Sequence, residues 1–339
     1  MTASPQWIVE PSNPPVEIRV RGDGPGNLDF PSTAVSISGS NASVSIQCSN
    51  AFANEVDYMA AMGISWEFSI DGETTWHTAG TSENQTYVTL GNPLTTAYHT
   101  LLHIGCTNAD GTSDAAACTA AIWGEFTDCV VKRVDGVQLT YYNDYRTVNT
   151  TTASLLANGD GQCGAWTAFL LDTRKVQGLD QAGDYVQFEP LVDTGFVVNS
   201  WNFAGAGKSG IAAYPYLNIP KAQFILANNY DWLFAEVTDA AGVAGQGNAN
   251  PASLFNNHQV ALINGVVYDA SYGVTYASEQ DIDDVIDGFY TIQQVTISET
   301  DISFDLNEDG DTTDTLTGGA FVFRKNPPGL NIGFIVMDY

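Results

Sequence analysis

The chain has 339 residues, enough for two domains with substantial cores, and its 44% hydrophobic and 15% charged residues are a globular composition that does not indicate disorder. Its 39 acidic against 11 basic residues give a formal net charge of −28, which argues against binding nucleic acid or an anionic membrane through bulk electrostatics. No stretch has the apolar length of a membrane span, and residues 1–17 are proline-rich and polar, so a secreted form would already have lost its signal.

Short strands with turn punctuation fill the region from about Val16 to Leu90: Ala34 to Ile46, Ile64 to Ile70, and Thr86 to Leu90. Ile64, Trp66, Phe68 and Ile70 alternate with polar residues, and Asp71-Gly72 is a hairpin signal. This pattern reads as a small antiparallel sandwich. Gly91-Asn92-Pro93 punctuates it, so the expected domains are residues 1–91, with a proline-rich N-terminal arm, and residues 92–339. In the second domain, Thr112-Ser113-Asp114 supplies cap-type residues for an alanine-rich helix from Ala115 to Phe126. Another helix follows Cys163, with Phe169, Leu170 and Val176 at helical spacing and Gly178 as its cap. Later segments return to strands at 195–203, 222–228, 233–237 and 291–323, with a hairpin at His258. Helices first and sheet later is an α+β order.

The segment Asn158-Gly-Asp-Gly-Gln-Cys-Gly-Ala-Trp-Thr-Ala-Phe169 puts a cysteine where a glycine-rich turn becomes a helix. Unpaired N–H groups and the dipole at a helix start favour a thiolate and can hold an oxyanion, which is what acyl transfer through sulfur needs. By itself Cys163 would read as a small buried hydrophobe.

A thiol nucleophile needs a base, and the four histidines are His77, His99, His103 and His258. His258 opens two apolar runs split by Asn264-Gly265, a two-residue hairpin signal that fixes the register. Ile263 faces Val266, Leu262 faces Val267, Ala261 faces Tyr268 and Val260 faces Asp269. His258 then shares a face with Val260 and lies diagonally across from Asp269, at roughly 7 Å, a gap that long side chains bridge. In such a pair the carboxylate fixes the imidazole tautomer and the imidazole takes the proton of the nucleophile.

These residues resemble the transglutaminase-like branch of the papain-fold cysteine enzymes, in which a Gly-x-Cys helix start, a histidine opening a strand and an aspartate on the next strand follow in this order. Gly-Asp-Gly-Gln-Cys-Gly-Ala-Trp and Asn-His-Gln-Val…Tyr-Asp-Ala-Ser-Tyr-Gly are similar to bacterial proteins carrying such a domain behind an immunoglobulin-like one. The resemblance covers about Asn92 to the C-terminus. It implies an α+β, papain-like catalytic domain after an immunoglobulin-like β-sandwich, with Cys163 as nucleophile, His258 as general base and acid, and Asp269 as the orienting carboxylate. It departs from the animal transglutaminases at Gly164, where those have Trp, and at Gln259-Val260 after the histidine.

The activity expected is a cysteine acyltransferase or hydrolase that forms an acyl-thioester on glutamine carboxamide or peptide carbonyl groups, with a protein or peptide substrate and a lysine amine as an acceptor. A cysteine peptidase or amidase is the alternative, as is a surface adhesion or scaffold protein with a vestigial catalytic domain. No Lys or Arg occurs between Lys221 and Arg324, and this acidic character, with the strand-rich N-terminus, points to an extracellular or cell-surface setting.

Other signals are weaker. His99 and His103 would share a helix face at zinc-ligand spacing, yet the Glu of a His-Glu-x-x-His site is missing. Asn202-Phe-Ala-Gly-Ala-Gly-Lys-Ser209 mimics a phosphate loop but lacks its first glycine. Asp305, Asn307, Asp309 and Asp311 match the first half of a calcium loop, while Leu316 stands where its bidentate Glu belongs and Asp314 is the substitute; an acidic hairpin turn explains them equally well. Calcium there would be structural, and the chemistry needs no cofactor. Cys48, Cys106, Cys118, Cys129 and Cys163 fit one free nucleophile plus four that are able to pair, without requiring it. Trp166 and Trp201 read as core residues.

Overall fold

The computed structural model describes residues 2–3, 6–8, 17–37, 41–143, 149–179, 183–198, 201–203, 237–239, 243–249, 251, 254–298, 300 and 309–337. Helices combine with sheets that are antiparallel except for one two-residue pair, in two compact units: residues 1–121 with 176–179, and residues 122–175 with 180–339.

In the first unit β1 (Glu17–Asp23), β2 (Asp29–Ser36), β3 (Asp57–Ser69) and β4 (His77–Val88) form a sheet in the order β2-β1-β3-β4. Period-two patterning puts Ile18 and Val20 of β1 and Ile64 and Trp66 of β3 in one core with Leu28 and Phe30. The rings of Phe30 and Trp66 lie 5.4 Å apart there. Burying each such side chain contributes about 1.5–3 kcal/mol.

Three local expectations change. The strand expected over 34–46 is broken into the end of β2 and the short strands Asn41–Ser43 and Ile46–Gln47, which pair with Gln6–Ile8 and Thr2–Ala3. The strand expected at 86–90 is the end of the longer β4. Ile70 lies past the end of β3 and is 57% exposed, because the connection is a wide loop in place of a two-residue turn. Asp71 organises that loop by accepting from the Ser69 hydroxyl and the Thr75 N–H.

Helix α1 (His99–Asn108) also belongs to this unit, beyond Gly91 where the sequence places the boundary. Helix α2 (Ala115–Gly124) starts where expected, because the Asp114 carboxylate accepts from the N–H groups of Ala116 and Ala117 at 3.0 and 2.9 Å.

The second unit holds β5 (Thr140–Tyr141), α3 (Thr152–Asn158), β6 (Asp160–Gly161) and α4 (Cys163–Lys175). After them come β7 (Asp184–Pro190), β8 (Gly195–Val197), β9 (Leu254–Phe255), β10 (His258–Ile263), β11 (Val266–Asp269) and β12 (Val274–Tyr276). The chain continues through α5 (Glu279–Asp284), β13 (Gly288–Ser298), β14 (Thr315–Lys325) and β15 (Ile332–Met337). One sheet runs β12-β11-β10-β7-β15 and a second runs β9-β8-β13-β14.

Helix α4 buries Trp166, Phe169, Leu170 and Leu171, and Trp166 packs edge-on against Phe126 and Phe169. Trp166 is therefore a core residue. The helix is tied to β10 by Thr167, whose hydroxyl donates to the backbone oxygen of Gln259 at 2.8 Å. The strand expected at 222–228, all but the last residue of the one expected at 233–237, most of the Asn202–Ser209 segment, and Asp305 and Asn307 lie outside the described residues. No helix among the described residues is long and apolar enough to cross a membrane.

Candidate active site

The turn before α4 is held from several sides. The N–H of Gln162 donates to the Asn149 backbone oxygen at 2.9 Å, and the Asp160 carboxylate accepts from the Thr140 hydroxyl and the Asn143 N–H. The Gln162 carbonyl takes the N–H groups of both Ala165 and Trp166, so Gln162 is the last residue before the helix and Cys163 the first within it. Among the described residues, no backbone acceptor takes the Cys163 N–H. Cys163 is largely buried, at 8% exposure.

Three of the four hairpin pairs written from the sequence are present: Ile263 pairs with Val266, Leu262 with Val267 and Ala261 with Tyr268. Asn264 and Gly265 both have positive φ, at 52° and 80°, as a two-residue turn matched to strand twist requires. Across this hairpin His258 Nε2 donates to Asp269 Oδ2 at 2.9 Å, with both side chains almost fully buried. The other carboxylate oxygen accepts from the Ser271 N–H at 3.1 Å, so Asp269 cannot rotate freely.

His258 is enclosed by the rings of Phe188, Phe255 and Tyr272, at 5.3, 5.7 and 5.7 Å. Burial alone would push the imidazole pKa down. The charge and hydrogen bond of Asp269, followed by the nearby Cys163 sulfur, outweigh burial and raise it well above its ordinary value. With Nε2 bound to Asp269, the buried Nδ1 has no hydrogen-bond partner of ordinary geometry among the described residues and is the nitrogen available to the thiol.

Sequence reasoning passed over β7, although Val186-Gln187-Phe188 alternates. This strand pairs with β10, Gln187 opposite Gln259 and Phe188 opposite His258. Gln259 Oε1 accepts from the Tyr185 hydroxyl at 2.8 Å and sits 3.8 Å from Cys163 Sγ, while Gln259 Nε2 donates to Gln187 Oε1 at 3.1 Å. A side chain at position 164 would overlap Gln259 Oε1 and the Tyr185 hydroxyl, so these two groups occupy the space that glycine opens beside the sulfur.

Comparison with known proteins finds no family model, no curated protein and no solved structure that matches this chain.

The remaining candidates belong to other elements. His99 and His103 share a face of α1, where the Tyr87 hydroxyl hydrogen-bonds to both rings at 2.9 and 3.3 Å. Asp309, Asp311 and Asp314 each offer an oxygen within 4.8 Å of the others, at the protein surface. All five cysteines are free thiols. Burial pushes the Cys106 thiol up to about 11 and raises that of Cys129.

Proposed function

We propose that this protein is a cysteine acyltransferase of transglutaminase-like type, with a papain-like catalytic domain behind an immunoglobulin-like sandwich. The observation that carries the reading is the buried His258–Asp269 pair at 2.9 Å, with Nδ1 left open, on a hairpin joined to the helix that begins at Cys163.

In the proposed reaction Cys163 Sγ attacks the carbonyl carbon of a glutamine carboxamide, and a C–S bond forms. The Cys163 N–H, which no backbone acceptor takes among the described residues, stabilises the developing oxyanion; loss of a comparable donor costs about 10²–10³ in rate. His258 Nδ1 gives the proton taken from sulfur to the leaving nitrogen, the C–N bond breaks, and ammonia departs. An amine or water then attacks the thioester, His258 takes its proton, and the thiol is restored. Asp269 holds the ring and stabilises its charged form throughout.

The acidic surface suits a lysine-bearing acceptor and an extracellular or cell-surface setting. To test the activity, a glutamine-bearing protein is incubated with a tagged amine, and incorporation and deamidation are scored by mass. Either product, absent with Cys163→Ala, supports the reading. Peptide cleavage alone would assign a cysteine peptidase.

A further inference from the structure

We infer that Gln259 is a positioning residue for the Cys163 sulfur, holding the resting thiol as an S–H donor to its carboxamide oxygen. The inference rests on Cys163 being the nucleophile.

Three observations combine. Gln259 Oε1 is 3.8 Å from the sulfur, within the range of an S–H···O hydrogen bond. Its orientation is fixed at both ends, because Tyr185 donates to Oε1 and Gln187 accepts from Nε2, so an acceptor and not a donor faces the thiol. Among the described residues His258 Nδ1, buried at 3% exposure, has no partner of ordinary hydrogen-bond geometry, while the Cys163 sulfur is close enough to raise the pKa of the ring. The sulfur therefore lies between the Gln259 oxygen and the imidazole.

An acceptor oxygen favours S–H over S⁻, since it binds the proton-bearing form. A substrate whose carboxamide N–H takes over Gln259 Oε1 removes that preference and frees the sulfur to turn towards the His258 ring. Gln259 thereby couples arming of the sulfur to arrival of an amide. The other groups facing the sulfur are His258 on β10, Tyr141 on β5, Tyr142 next to it, Tyr185 on β7 and Tyr272 after β11, with Asp269 acting through His258. Substitution of Gln259 changes none of these residues, but Gln259→Leu also removes the acceptor of the Tyr185 hydroxyl.

The test follows alkylation of Cys163 by iodoacetamide against pH in the full chain, site-resolved by peptide mass, for the parent, Gln259→Leu and Gln259→Glu. Gln259→Leu removes the acceptor and is expected to move the alkylation midpoint down by roughly half to one pH unit, the size of one hydrogen bond. Gln259→Glu places a carboxylate beside the sulfur and is expected to move the midpoint up. Displacement in opposite directions separates positioning from a general loss of structure, which would shift both variants the same way. Coincident profiles for parent and Gln259→Leu, or equal shifts in both variants, overturn the inference while leaving the nucleophile in place. A parent Cys163 that does not alkylate at all overturns the nucleophile reading, and this inference with it.

Discussion

His258 Nε2 donates to Asp269 Oδ2 at 2.9 Å across a buried hairpin, eleven residues apart in sequence. The contact follows from a two-residue turn, because that turn fixes which residues oppose one another and places the histidine diagonally across from the aspartate.

This pair makes stability depend on pH in a definite direction. The folded His258 pKa is raised above its unfolded value near 6.5, so protonation favours the folded state. The contribution is complete below about pH 6.5 and is lost as pH rises through the folded pKa, on the alkaline side of neutrality. Asp269→Asn is therefore expected to cost about 3–5 kcal/mol near pH 6, the usual penalty for breaking a buried pair, and progressively less toward pH 10. Urea melts of parent and variant at several pH values read this directly. A gap that widens with rising pH would reverse the assignment.

How far the sequence leads depends on whether a signal is local. Asn264-Gly265 and the apolar runs beside it determine the hairpin, and the glycine-rich turn before Cys163 determines the helix start, so the His258–Asp269 contact follows from neighbours in the chain. Helix α3 was missed: Thr151 and Ser154 form a reciprocal cap, but Ser154 stands where a capping box usually has Glu or Gln, and the seven residues carry too little apolar periodicity to stand out. Tyr185 and Gln187 could not be assigned to the site in this way. Their role depends on β7 pairing with β10 some seventy residues later, and nothing in a single sequence sets the partner of a strand. The strand β15 at the C-terminus was missed for the same reason.

Gly164 admits a direct steric test. A methyl group there meets Gln259 Oε1 and the Tyr185 hydroxyl, both at the ends of side chains that are able to shift. Gly164→Ala is expected to cost about 1–3 kcal/mol in stability and to displace Gln259 from the sulfur, giving an alkylation profile like that of Gln259→Leu. An unchanged melting temperature together with an unchanged profile would show that the space beside the sulfur is not filled as described.

The acidic cluster of Asp309, Asp311 and Asp314 is tested by calcium itself. If the loop holds a structural ion, added calcium raises the melting temperature of the full chain, chelator returns it, and Cys163 alkylates equally in both conditions. Superimposable melting curves would make the cluster an acidic turn and nothing more.

Acceptor choice is expected to follow charge. A chain with net charge −28 attracts cationic amines such as lysine side chains, and exposed charges are screened over roughly 8–10 Å at physiological ionic strength. With a glutamine-bearing protein and a tagged cationic amine, the ratio of deamidation to amine incorporation is expected to increase with salt. A salt-independent ratio, or the same dependence with a neutral amine, would remove surface charge from acceptor selection.

The most direct test of the central claim is site-resolved labelling of the full chain near neutral pH with a thiol-directed mechanism-based reagent built on a glutamine analogue. Cys48, Cys106, Cys118 and Cys129 serve as internal controls, with Cys106 and Cys129 further disfavoured by their raised thiol pKa values. The account predicts one adduct, on Cys163, that slows sharply in His258→Ala. Labelling spread over the five cysteines, or unaffected by loss of His258, would contradict it.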